Sequence, residues 1–253
     1  MKRYPLERFN RHVHVRNMIR KMSEQLGGVR TVVYLLAVSL ILAGCGGGSA
    51  APQIISGVTS VGLPLTGYVK IKDNSTPVRE KTTVIGKDGS FAFDVSDMKK
   101  PYILEAQGSA GGTNYALYSF AESPGIANIT PLSNIAVAAA AGTDDPDHIY
   151  AHPDPVTLQK IKSDLPVAIA TLQFKLKPLF DLYDVGKADP IKDHFRINHA
   201  GFNALFDNVK FVLSNGNLTI VNATTGTHIF TSKVAYVNVG KFVNLLTPYV
   251  PNT

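Results

Sequence analysis

The chain has 253 residues, 25 Lys and Arg against 19 Asp and Glu, a formal charge of +6, one cysteine and no tryptophan. The excess charge lies in the first 44 residues, which hold eight basic and two acidic side chains; the remainder carries seventeen of each sign and is neutral. A neutral body lacks the basic face that nucleic acid requires, and the lone cysteine excludes an internal disulfide, a zinc–thiolate site and an iron–sulfur cluster.

A basic stretch from Lys2 to Arg30 precedes an apolar run from Val32 to Leu42, then small residues and Cys45. Charged, apolar and small, in that order, is the pattern of a secretory signal. The run is shorter than the roughly 20 residues of a membrane-spanning helix. Leu42-Ala43-Gly44-Cys45 resembles the lipobox of bacterial lipoproteins at all four positions. The resemblance implies that a signal peptidase recognises Leu42, Ala43 and Gly44, that the Cys45 sulfur receives a diacylglycerol, and that the new amino group is acylated. Residues 1–44 are then a signal peptide, with Met1, Met18 or Met22 as its start. Residues 45–52 are a lipidated cysteine and a flexible glycine-rich tether. Several acyl chains anchor far more firmly than one, and membrane lipid is the first expected partner. Gly46, where this family places Asp for inner-membrane retention, favours the outer membrane.

From Gln53 the texture is β. "QIISGVTS" is apolar and β-branched, and "LPLTGYVKIKD" sets Tyr68, Lys70 and Lys72 against Val69 and Ile71. "TTVIGKDGSFAFDV" places two alternating runs around Asp88-Gly89, the pattern of a tight hairpin. "PYILEAQ" and "TNYALYSFA" come next, joined by a glycine-rich turn. The stretches at Ile55–Val58, Gly62–Asp73 and Gly86–Val95 resemble the carboxypeptidase-regulatory-like, transthyretin-type module. That resemblance implies an Ig-like (prealbumin-like) β-sandwich over residues 53–129, with no catalytic residue to carry over.

Residues 130–253 read as a smaller α+β domain. Thr130 as N-cap, Pro131 at the first turn and Gly142 as the stop predict a helix over 131–141. "GTDDPDHIYAHPDP" reads as a proline-broken loop. Leu158, Ile161, Leu165, Ala168, Leu172, Leu176 and Leu179 form one helical stripe, which Pro166 and Pro178 should kink or divide. The stripe at this spacing reads as core before it reads as a partner-helix site. A short helix in "NHAGFNALFDNV", a three-strand meander turning at Asn215-Gly216 and at "NATTGT", and a last helix in "KFVNLLTPYVPNT" complete the plan. The expected fold is mainly β plus α+β, and no outer-membrane barrel is implied.

Chemistry is sparse. Asp144, Asp145, Asp147, His148, His152 and Asp154 form the densest ligand set, but their spacing departs from a calcium loop, and a rigid solvated turn is the preferred reading. His194 and His199 stand five apart, not the four that pair ligands on a helix face; Asp193 lies beside them. No serine sits in a nucleophile elbow. Tyr102, Tyr115 and Tyr118 suit a glycan-stacking face or ordinary strand packing. These features lead to a non-enzymatic outer-membrane lipoprotein that binds or scaffolds in the cell envelope, without cofactor or metal, and with an envelope protein or polysaccharide as partner. The alternatives are a lipid-anchored hydrolase of envelope polymers and a surface adhesin or glycan binder.

Overall fold

The structure is a computed structural model that describes residues 51–143 and 145–233. The lipobox-like stretch Leu42-Ala43-Gly44-Cys45, Asp144 and the expected last helix lie outside the described residues. The chain divides into two units, Met1–Ala51 and Pro52–Thr253. The second unit is α+β, with several antiparallel sheets and helices packed on them.

Seven strands make two sheets. β1 (Ile54–Val58) pairs antiparallel with β4 (Ser90–Asp94) and parallel with the two-residue β7 (Gly125–Ile126). The second sheet has the order β3-β2-β5-β6, with β2 at Thr66–Lys72, β3 at Glu80–Val84, β5 at Tyr102–Ala110 and β6 at Thr113–Ala121. The alternation in β2 gives it one face to bury. Val69 and Ile71 are fully buried between the sheets, with Ile55, Phe91, Phe93, Leu104 and Ala106. Gly111 and Gly112, both at positive φ, make the two-residue turn joining β5 and β6, where the paired strands' twist favours such a turn.

The Asp88-Gly89 turn forms, but not as a hairpin. Asp88 Oδ1 accepts from Ser90 N–H at 3.1 Å, and Gly86 N–H donates to Ser90 O at 2.8 Å. Beyond the turn β3 pairs with β2 and β4 with β1, so the two runs enter different sheets. Alternation marks a face that can be buried, not the partner strand; β4 buries Phe91 and Phe93, whereas β3 is exposed or half-buried along its length.

The central sheet is buried on both faces along β5 and β6. Leu104, Ala106 and Leu117 face the first sheet, whereas Ile103, Tyr118 and Phe120 face a second core made by the helices. There α1 (Pro131–Ala141) starts at Thr130, whose Oγ1 accepts from Ser133 N–H at 3.3 Å while Ser133 Oγ accepts from Thr130 N–H at 2.8 Å. Its alanines, all but the last fully buried, allow close approach of α3 (Pro155–Lys175). The whole leucine stripe is core. α3 runs through Pro166 as one helix, so the proline does not divide it. The proline and Val167 face solvent, while Leu165, Ala168 and Ile169 are held in the core. Pro178 does mark a break, with the helix restarting as α4 (Lys177–Asp181). The expected loop contains a further helix, α2 (Pro146–Ala151), because Asp145 caps it and proline suits its first turn.

α5 (Phe202–Asn208) leads into the meander of β8 (Val209–Ser214), β9 (Asn217–Asn222) and β10 (His228–Lys233), in the order β10-β9-β8. Val209, Leu218, Ile220 and Phe230 bury their side chains in the helical core. All the described residues from Pro52 onward therefore belong to one body with two cores sharing a sheet.

Candidate functional site

The largest cavity described, about 500 Å³, opens where the loop after β1, the β5–β6 turn, α5 and β8 converge. Its wall is mainly apolar: Val61, Leu63, Tyr115, Phe206, Phe211 and Val212. Phe206 ends a run of rings that reaches back into the core. It stacks on Phe202 at 6.3 Å, Phe202 meets Phe180 edge-on at 6.3 Å, and Phe206 meets Phe211 edge-on at 6.1 Å. Interlocked rings make a closely packed, stiff base for the cleft.

Asn203, fully buried on α5, ties that helix to Gly62 on the cleft wall. Its Nδ2 donates to Gly62 O, and its Oδ1 accepts from His199 N–H at 2.6 Å. Asp207 on the lip is paired with His199, Oδ2 to Nδ1 at 2.8 Å. Lys210 is exposed on the same lip and has no carboxylate partner among the described residues. The arrangement is a mainly apolar trough with the Lys210 ammonium at its edge.

The residues singled out from the sequence lie elsewhere or are tied up. Cys45, Leu42, Ala43, Gly44 and Asp144 are outside the described residues. Asp145 caps α2, accepting from His148 N–H at 3.0 Å, and Asp154 caps α3, accepting from Thr157 N–H at 2.9 Å. His148 and His152 stack at 5.1 Å. No group of three or more His, Cys, Asp or Glu among the described residues is placed to hold a metal. Asp193 turns to its own loop, accepting from Asp189 N–H at 2.9 Å, while His199 pairs with Asp207 instead. Neither His194 nor His199 lines any of the three cavities described. Of the three tyrosines, Tyr102 and Tyr118 are buried and only Tyr115 reaches the cleft. The three make no exposed row.

Asp147 has a role of another kind. Its Oδ1 accepts from the Tyr118 hydroxyl at 2.8 Å, and Glu105 Oε1 lies 3.2 Å from the same oxygen. Lys70, Glu105 and Tyr118 stand opposite one another on three strands. Lys70 Nζ is 3.7 Å from Glu105 Oε2, and Gln107 donates to Glu105 Oε1 at 2.6 Å. Glu105 is thus paired and hydrogen-bonded, as a buried charge must be. Burial pushes the Tyr118 phenol far above its ordinary value, and the Asp147 and Glu105 carboxylates push it further. The cluster lines none of the three cavities, so it fastens α2 to the central sheet.

Nothing in the sequence signals the cleft. Gly62 on its wall and Asn203, which bonds to Gly62 from behind, are 141 residues apart in the chain. No protein-family model, curated protein or solved structure matches the chain. No helix among the described residues is long and apolar enough to cross a membrane.

Proposed function

We propose that this chain is a non-enzymatic lipoprotein of the bacterial outer membrane, anchored through acylated Cys45, that binds a partner in the envelope. The anchor rests on the sequence order at Val32–Cys45. The facing sheets β4-β1-β7 and β3-β2-β5-β6 support reading residues 53–129 as an Ig-like, transthyretin-type module that serves as a scaffold. The observation that carries the binding role is the rigid, apolar, lysine-edged cleft. The carboxylates around it and in the α2 cluster are engaged by a helix cap, a tyrosine hydroxyl and a histidine ring, which favours binding over acid–base chemistry.

Two measurements test this reading. Cys45→Ser should move the protein from the membrane fraction to the soluble fraction; an unchanged distribution overturns the anchor. A photo-crosslinking residue at Val212, 45% exposed on the cleft, should yield a discrete adduct in intact cells. The same residue at Val84, 78% exposed on β3, should not. Equal labelling at both positions, or none at Val212, overturns the cleft as the binding site.

A further inference from the structure

Within the meander, β8 is an edge strand, paired with β9 alone among the described residues. Its register shows which way its backbone faces. Ser214 and Asn217 flank the two-residue turn, and Ala223 N–H donates to Asn208 O at 2.8 Å. Hydrogen-bonded pairs in an antiparallel ladder alternate, so Asn208, Lys210, Val212 and Ser214 bond to β9. The N–H and C=O groups of Phe211 and Leu213 then point away from it, at the open edge.

That edge borders the cleft. Val209, Lys210, Phe211 and Val212 all line the cavity, although successive side chains of a strand point to opposite faces. Four consecutive lining residues mean that the strand presents its edge, not one face. Unpaired main-chain groups along an edge match one chemistry, another extended backbone. The two faces differ in character. On the inner side Phe211 and Tyr115 offer apolar surface, and on the outer side Lys210 offers an ammonium with no carboxylate partner among the described residues, while Asp207 is already engaged by the His199 ring at 2.8 Å.

We infer that the cleft takes an extended polypeptide segment as an added strand on β8, one whose residues alternate apolar and acidic. This rests on the cleft being the binding site and names the class of its occupant. The apolar side chains enter beside Phe211 and Tyr115, the acidic ones face Lys210, and the backbone bonds to Phe211 and Leu213.

The test uses the full chain and a capped octapeptide of alternating valine and glutamate, with hydrogen exchange followed over residues 209–214. The amides of Phe211 and Leu213 should exchange about tenfold more slowly with peptide at ten times its Kd. The amides of Lys210, Val212 and Ser214, already bonded to β9, should change little. A peptide of the same sequence with alternate backbone nitrogens methylated should lose this protection. Lys210→Glu, an exposed change that leaves the core intact, should weaken binding roughly fivefold. No protection over 209–214, or equal protection by the methylated peptide, overturns strand addition. If the Val212 crosslink still forms in cells in that event, the cleft remains a binding site and only the added strand is lost.

Discussion

Tyr118 shows how one side chain can join two parts of the fold. Its phenol carries one proton and lies within hydrogen-bonding distance of two carboxylates, Glu105 on the sheet and Asp147 on α2. The proton is held because ionisation would place a third negative charge in a buried cluster. The folded phenol therefore titrates well above its unfolded value near 10. Its contribution to stability is complete below that unfolded value and is lost as pH rises beyond it, because only the unfolded chain releases the proton. Above about pH 10 this one group should cost about 1.4 kcal/mol of stability per pH unit. Tyr118→Phe should lower stability at pH 7, where a carboxylate loses its donor, and should flatten the decline between about pH 10 and 11. Denaturant unfolding at several pH values checks both; an unchanged alkaline slope would mean that the phenol does not stay protonated in the fold. Asp73 works by the opposite sign. Burial pushes its carboxyl up, but hydrogen bonds from Ser75, Lys99 and Arg79 outweigh this and hold its pKa below the ordinary value. Its share of stability is complete above the ordinary carboxylate range and is lost progressively as pH falls from there through the lowered value.

Among the elements, α3 is the clearest case of packing overriding local preference. A proline inside a helix removes one backbone hydrogen bond and costs about 3 kcal/mol relative to alanine. Pro166 is tolerated because its ring faces solvent and because Leu158, Ile161, Leu165, Ala168 and Leu172 bury a continuous stripe on either side of it. Pro166→Ala should restore the lost bond and raise stability by about 1–3 kcal/mol, read from the midpoint of urea unfolding. A variant no more stable than the parent would show that the surrounding helix has adapted fully to the proline. α2 carries the complementary lesson. Asp145-Pro146 is a sound helix start, but a dense run of prolines and acids reads first as a turn.

For the whole molecule, the central sheet decides how the parts cooperate. The face carrying Ile103, Tyr118 and Phe120 belongs to the helical core. A fragment of residues 53–129 would expose those three side chains, at roughly 1.5–3 kcal/mol each. That total approaches the whole stability of an ordinary domain. The fragment should therefore lack a cooperative thermal transition and bind a hydrophobic dye, whereas the intact chain should melt in one step. A sharp transition in the isolated fragment would show that the first two sheets are self-sufficient.

Sequence alone suffices wherever short-range rules are in control. The β2 alternation, the cap and stop of α1, the buried stripe of α3 and the turns of the meander all lie within a few residues of their causes. The charged, apolar and small order before Cys45 is likewise a property of the chain itself. Long-range packing chose the layers that β3 and β4 enter, gave Tyr118 a second face to bury, and created the cleft. Periodicity marks a side to be buried but carries no information about the partner that buries it. A cleft walled by Leu63, Tyr115 and Phe211 and edged by Lys210 exists only once distant segments have packed.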